Sequence, residues 1–515
     1  MVDQTKKRIL NPTMTKRAFL AGTAATAALS AQSLGIRQAM AQNAEWDLIV
    51  VGGGTAGMPA ALFAAERGAR VLIVDAAPQL GGTMDRSTGQ VAAAGTVWQK
   101  EQGIEDTADA HYDDVMRINR NTSDPVLTRL LVDNAADTLN WFAARGFTIM
   151  DNHPVFAGGH EPFTTRRYQW NKDGARAFQN IMDPMIKKEQ ADGRIKVLLS
   201  TSAIDLVQDD TGAVRGVVTE NDSGERMDFR SKFVLLTSGG CMSNPRMFED
   251  LHGVPLFCEV AYPYSQGQGI TLGLGAGGYV RGGDKYATLF GTILESDFFP
   301  SPSIGSPSLT PQRRPPWEVF VNVHGKRFVR EDHPSVAHRE YTLGKQPGMR
   351  HWAIFDQEIL DTAPPLIRRW SREKLDDAFI DHPMFEKAAT LGELGVKAGI
   401  NPYNLEREIK GYNDGILYDR PDAMGREHRP LALSKGPFYA VRMQGWNVMS
   451  YAGLGVDGQL RVTRSDGTPI PNLYAAGEVT GNATTSGNAL TNGMGVTPAL
   501  TFGRLLGQKM IPFTV

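Results

Sequence analysis

The chain of 515 residues has only two cysteines, Cys241 and Cys258. That scarcity excludes a C-x-x-C-H haem attachment and a cysteine-ligated iron–sulfur cluster, and no other metal site is expected. The two thiols could pair with each other, but they read as small core residues. Net charge is only −2, so nothing points to nucleic acid or another polyanion as partner. Beyond the N-terminus no stretch approaches the ~20 apolar residues of a membrane span, and no internal repeat is present. Hydrophobic residues reach 41%, enough for a sizeable core, and the length exceeds one domain at about 100–200 residues each. The 55 glycines suit a chain with many close backbone approaches to a ligand. Any redox chemistry must rest on a bound organic cofactor.

Residues 1–41 read as an export signal rather than as part of the fold. Lys6, Lys7, Arg8, Lys16 and Arg17 form a basic leader, Ala18 to Leu34 is mildly apolar, and Ala39-Met40-Ala41 resembles a cleavage site. Thr15-Lys16-Arg17-Ala18-Phe19-Leu20 is similar to a twin-arginine signal with lysine at its first basic position. A periplasmic location is expected, or a cytoplasmic one if the signal does not function.

The most informative stretch is Trp46-Asp47-Leu48-Ile49-Val50-Val51-Gly52-Gly53-Gly54-Thr55-Ala56-Gly57. A β-branched strand enters a glycine turn and an alanine-rich helix follows. Gly52, Gly54 and Gly57 have the spacing G-x-G-x-x-G. The first glycine permits the turn, the second lets backbone approach a pyrophosphate, and the third lets helix pack on strand. Thr55 and Ala56 open the helix, whose free N–H groups face the phosphates. A second strand, Arg70 to Val74, ends in Asp75, where a ribose hydroxyl needs an acceptor. The expected class is therefore α/β, with a Rossmann-like dinucleotide domain.

Further along, Asp124 to Gly146 has helical periodicity. Ile195 to Val218, which includes Ala203, alternates like strands around a turn at Asp209-Asp210-Thr211-Gly212. Phe229 to Thr237 is another strand, ending in Ser238-Gly239-Gly240. From Gly282 to about Asn447 prolines and aromatics multiply, and Pro300 to Pro316 reads as a long loop. The expected organisation is a cofactor domain in two pieces, 44–282 and 448–515, with an inserted α+β domain at 283–447. Ala499 to Met510 reads as a closing helix.

Together these segments resemble the FAD-dependent fumarate reductase and succinate dehydrogenase flavoprotein family. That group includes soluble fumarate reductases, urocanate reductases and 3-ketosteroid dehydrogenases. Val51 to Gly57 looks like its FAD pyrophosphate turn. Leu80-Gly81-Gly82-Thr83, Ser87-Thr88-Gly89 and Ala93-Ala94-Gly95-Thr96 look like the loop past the isoalloxazine. Leu235 to Gly240, followed by Asn244-Pro245, is similar to its second FAD strand. Asn322 to Phe328 resembles its capping-domain motif N-x-x-G-x-R-F, and Leu473-Tyr474-Ala475-Ala476-Gly477-Glu478 its closing flavin motif. Gly493, Gly495 and Val496 then fall at the flavin. The resemblance implies FAD beneath a mobile cap, and hydride transfer between flavin N5 and one carbon of a carbonyl-activated C–C bond. The loop Met84 to Thr88 lacks the histidine of the family's covalent flavoproteins, so FAD is expected to be non-covalent.

For catalysis the resemblance implies an arginine acid after the R-F-V motif, and Arg339 is the best match, with Glu340 and Glu331 as relay carboxylates. Tyr341 and Tyr451 are alternative proton carriers. The histidine the family places at the cap junction is replaced by Met449. No histidine lies between Gly283 and Arg314, and no arginine between Asn482 and Phe502. A dicarboxylate would lack its charge partners, so fumarate is not the expected substrate. The steroid enzymes' last-stretch tyrosine falls on Ala489, so that match is also incomplete. His160, Arg166 and Arg167 read as a solvated basic loop. The expected activity is an enone or acrylate reductase, or the reverse dehydrogenase, served by a separate electron carrier. A 3-ketosteroid-type dehydrogenase and an FAD electron-transfer protein without turnover are the alternatives.

Overall fold

A computed structural model describes residues 45–513. The leader at 1–41, and the last two residues, lie outside the described residues.

The first strand, Trp46–Val51, and the second, Val71–Val74, are parallel and almost wholly buried along their central residues. Continuous Leu/Ile/Val runs of this kind are what a parallel sheet covered on both faces requires. The sheet runs in the order Arg461–Thr463, Pro469–Ala475, Arg226–Leu236, Trp46–Val51, Val71–Val74, Ile195–Leu198. All neighbours are parallel except the first pair. Strands from both ends of the chain therefore complete one sheet.

The stretch from Ile195 to Val218 is not one alternating unit. Ile195–Leu198 joins the parallel sheet, whereas Thr201–Gln208 and Val214–Asn221 form an antiparallel ribbon on the long strand Arg226–Leu236. The helix expected from Asp124 is present as Pro125–Ala143, with the Asp124 carboxylate accepting from the amides of Val126 and Leu127. The closing helix begins earlier than its periodicity suggests, at Val496, and its last turn, Leu506–Met510, widens to a π-helix.

A second, antiparallel sheet is built from Ser303–Gly305, Leu289–Leu294, Phe438–Trp446, Arg350–Asp356 and Val319–Val321, with Phe385–Ala388 also on Phe438–Trp446. It has its own core, which includes Phe290, Phe320, Trp352, Ile354 and Tyr439 and reaches back to Cys258. The Pro/Ser-rich stretch from 300 to 316 contains one short strand, Ser303–Gly305. The N-x-x-G-x-R-F stretch is structural. Asn322 Oδ1 accepts from the amides of His324 and Lys326, Gly325 takes φ +69°, and buried Arg327 pairs with Glu331 and Asp422. Both cysteines are free and buried. No helix among the described residues is long and apolar enough to cross a membrane.

Candidate active site

One cavity of about 850 Å³ runs from the first glycine turn to the edge of the second sheet. Its near end is made by the turn. Gly52 has φ +99°, and a Cβ there would sit 2.6 Å from Ser238 Cα. Thr237 donates its hydroxyl to Gly52 O at 2.6 Å, locking the turn to the neighbouring strand. Gly57 lies off the cavity; its Cβ would fall 2.0 Å from Gly52 O, so its role is close helix–strand packing. Gly54 faces the cavity, where a Cβ would meet nothing nearer than Gly82 Cα at 3.8 Å. Helix Gly57–Glu66 starts at Ala56 with no side-chain cap, leaving amide N–H groups at the cavity.

Asp75 lines the same end. Its Oδ2 accepts from Gly53 N at 2.7 Å and its Oδ1 from Ala77 N at 2.8 Å. Burial raises its pKa against those two hydrogen bonds. Each oxygen retains a lone pair for a further donor. Thr55, Ala56, Gly82, Thr83, Ser87, Thr88, Ala203 and Gly239 also line the cavity.

Gly477, Glu478, Gly493, Gly495 and Val496 form a further wall, with Gly477 packed beside Ala56. Glu478 Oε1 accepts from Ser450 N and Oγ, each at 2.8 Å. Burial raises the Glu478 pKa. Helix Val496–Leu505 begins at Gly495, again with no side-chain cap, so a second helix N-terminus points at the cavity. Nearby Asn482 Nδ2, Thr491 Oγ1 and Asn492 Oδ1 are buried without a hydrogen-bond partner.

Three more glycines expected at a cofactor lie off the cavity. Gly89 has φ +67° and packs against the Ala175 backbone, whose nitrogen a Cβ would approach to 2.3 Å. Gly240 has no room for a side chain beside Ser450 and Glu478. Gly95 takes φ +85° in the turn before the Thr96 cap. Gly89 and Gly240 shape the cavity through close packing, whereas Gly95 serves its turn through its positive φ.

The expected proton carriers are scattered. Arg339 is 1% exposed, donates to Leu309 O and lies 5.0 Å over the Phe290 ring. Leu289, next to Phe290 in the strand, lines the cavity, whereas Arg339 is not part of the lining. No carboxylate pairs with it, its Nε has no partner, and burial pulls its pKa down to about 10. Tyr451 is fully buried and donates to Ala489 O at 3.0 Å; burial and the Glu340 charge raise its pKa. Tyr341 faces outward, with Lys345 Nζ 4.0 Å and the Arg120 guanidinium 3.9 Å from its ring centroid. Glu331 is committed to Arg327. Glu340 is buried, and its partner is His160.

The basic loop is not uniformly solvated. Arg167 is wholly buried between Asp106 and Asp114, because two carboxylates from other segments meet there. His160 does face the cavity. Thr237, Ser238, Gln268, Asn482 and Asn492 line it as well, none singled out in the sequence as a site residue. The strand-end position of Thr237-Ser238 was the available signal.

Residues 47–496 match the family described as FAD binding domain. The chain belongs to that family. Fumarate reductase (cytochrome) of Shewanella frigidimarina is 27% identical over 474 residues, covering 91% of this chain and 77% of that protein. Urocanate reductase of Eggerthella lenta is 27% identical over 477 residues, covering 90% and 74%. Vinyl phenol reductase of Lactiplantibacillus plantarum is 27% identical over 460 residues, covering 85% and 90%. The open conformation of a flavocytochrome c3 fumarate reductase superposes with a TM-score of 0.66 at 25% identity, covering 93% of this chain and 80% of that one. This family member is an FAD-dependent oxidoreductase of the class acting on carbon–carbon bonds.

The residues fit FAD. The space over Gly54 and the uncapped amides of the first helix suit a diphosphate. Asp75 and Glu478 offer carboxylate acceptors to hydroxyl groups. The second helix N-terminus favours negative charge on a flavin ring, and the unpartnered Asn482, Thr491 and Asn492 atoms await a polar ligand.

Proposed function

We propose that this oxidoreductase acts on the α,β C–C bond of a neutral or monoanionic carbonyl-activated compound, as an enone or acrylate reductase or the reverse dehydrogenase. The observation that carries this is the wall where the second sheet meets the FAD site. Leu289, Val448, Met449 and Leu490 supply apolar surface there, with Thr491 and Asn492 as neutral polar groups. The cationic or cation-forming residues among the cavity's described lining are His160 and Arg86, and Arg86 donates to Ala261 O beside the glycine loop. Asp75, Asp222 and Glu478 add negative charge. A dicarboxylate would bury a second charge without a partner, at a cost of several kcal/mol.

FAD, when bound, supplies or takes up the hydride. The chain's own part is to orient the substrate against that wall, to donate hydrogen bonds to its activating carbonyl and to keep bulk water out. Thr491, whose hydroxyl has no partner among the described residues, would be a donor to that carbonyl, whereas the free Oδ1 of Asn492 could only accept. The second sheet with its helices, 283–447, would act as the cap. A separate electron carrier and export by the leader at 1–41 belong to the same proposal and rest on the sequence alone.

The test is anaerobic. Dithionite-reduced protein is mixed with unsaturated ketones, aryl acrylates, steroid enones and fumarate while the flavin spectrum is followed. Reoxidation by an uncharged or monoanionic alkene, and none by fumarate, is the expected result. Rapid reoxidation by fumarate would overturn the charge argument, and silence with every alkene would favour electron transfer without turnover.

A further inference from the structure

We infer that His160, held by Glu340, is the group that exchanges the substrate proton; this rests on the function proposed above. His160 lines the cavity, and its Nδ1 lies 3.3 Å from Glu340 Oε1 on helix Val336–Gly344. No hydrogen bond within the described chain engages its Nε2. The next residue fastens the loop on both sides. Glu161 O accepts from Asn492 Nδ2 at 2.7 Å. The Glu161 carboxylate accepts from Ser335 Oγ at 2.8 Å and Ala337 N at 3.1 Å, at the start of the Glu340 helix. The loop, the second sheet's helix and Asn492 thus jointly position the imidazole at the cavity.

A proton donor must reach the reacting carbon, and Arg339 is not part of the cavity lining. With Glu340 holding the Nδ1 proton, Nε2 is left as the ring atom free to carry and pass a second proton. In reduction, FAD when bound would supply the hydride for one C–H bond. The C=C π pair forms the second with the Nε2 proton, and the N–H electron pair stays on Nε2. Solvent reprotonates the ring, whose side chain is 26% exposed. Dehydrogenation runs the same transfers backwards, with oxidised flavin as hydride acceptor.

The charges around the ring are Glu340, with Arg339 and His338 on the same helix, and Glu161 on its own loop. Arg117 lies 4.0 Å from Glu161, and Arg313 donates to Gly158 O at 3.5 Å. Glu340 is therefore a positioning residue that orients the ring through Nδ1.

The experiment compares wild type, His160→Gln, His160→Asn and Glu340→Gln, all loaded with FAD. Flavin content and the flavin difference spectrum on adding a saturated, unreactive ketone are read first, and both should match wild type. Reoxidation of the reduced flavin by an alkene that wild type accepts should then fall about 10²–10⁴-fold in both His160 variants. The limb of the wild-type pH–rate profile between about pH 5 and 8 should vanish with it. Glu340→Gln should lower that rate by less than the His160 variants do, with the ketone difference spectrum unchanged. His160 variants that keep wild-type rates and the same limb overturn this inference alone. Loss of FAD or of ketone binding in them would make His160 structural and would also overturn it. A wild type that reacts with no alkene removes the function proposal and this one together.

Discussion

Gly54→Val puts the cofactor assignment to its sharpest test, because the structure separates its effect on folding from its effect on binding. A Cβ at Gly54 meets only Gly82 Cα at 3.8 Å and Gly81 O at 4.0 Å, both ordinary contacts. Its φ is not positive, so a side chain is tolerated. Replacing a glycine at such a position stabilises a chain by about 0.4–1 kcal/mol through the unfolded state. The apoprotein should therefore unfold in urea no earlier than wild type. The added methyls enter the space assigned to the diphosphate, so FAD should be lost. For wild type, free FAD at 100 times its Kd adds about 2.7 kcal/mol; in the variant that increment should disappear. Gly57→Ala is the control. Its Cβ would lie 2.0 Å from Gly52 O, so backbone must shift, and stability should fall by about 1–3 kcal/mol or more with or without FAD. The assay is flavin absorbance per chain after gel filtration, with urea unfolding in both states. A Gly54→Val protein that keeps one FAD per chain and full protection refutes the placement.

Acid precipitation should release all flavin into the supernatant, since Met84 to Thr88 offers no histidine for a covalent bond; flavin retained in the pellet contradicts that. Arg167→Met should cost about 3–5 kcal/mol in urea unfolding, because Asp106 would be left buried without its cation and Asp114 with only the more exposed Arg117; burial alone would raise Asp114, and hydrogen bonds from Arg117, Thr164 and Arg167 hold it low. For Glu478 the pKa is raised by burial, so the folded apoprotein binds its proton more tightly than the unfolded chain does. Its contribution is complete below the ordinary carboxyl pKa and is lost as pH rises through the raised value. Glu478→Gln, which can still accept from Ser450, should flatten that part of the apoprotein's stability–pH curve; an unchanged slope rules Glu478 out as its source.

The N-x-x-G-x-R-F stretch shows how a motif can be legible and its work still hidden. Spacing identified it, but only the fold shows that Arg327 is consumed by Glu331 and Asp422. Arg167 is a similar case. A run of basic residues looks solvated until two distant carboxylates are seen to enclose one of them.

The amino-acid order alone determined the dinucleotide turn, its two flanking strands and the acid at Asp75. Those features depend on neighbours within some thirty residues and on glycine's freedom at φ +99°. Which polar side chain meets the substrate depended on tertiary structure. Arg339 and Glu340 are adjacent on one helix, yet helical geometry turns them to different surroundings, one over Phe290 and the other to His160, 180 residues away. Periodicity cannot assign those faces to a partner, because the partner comes from a loop whose path is set by packing elsewhere.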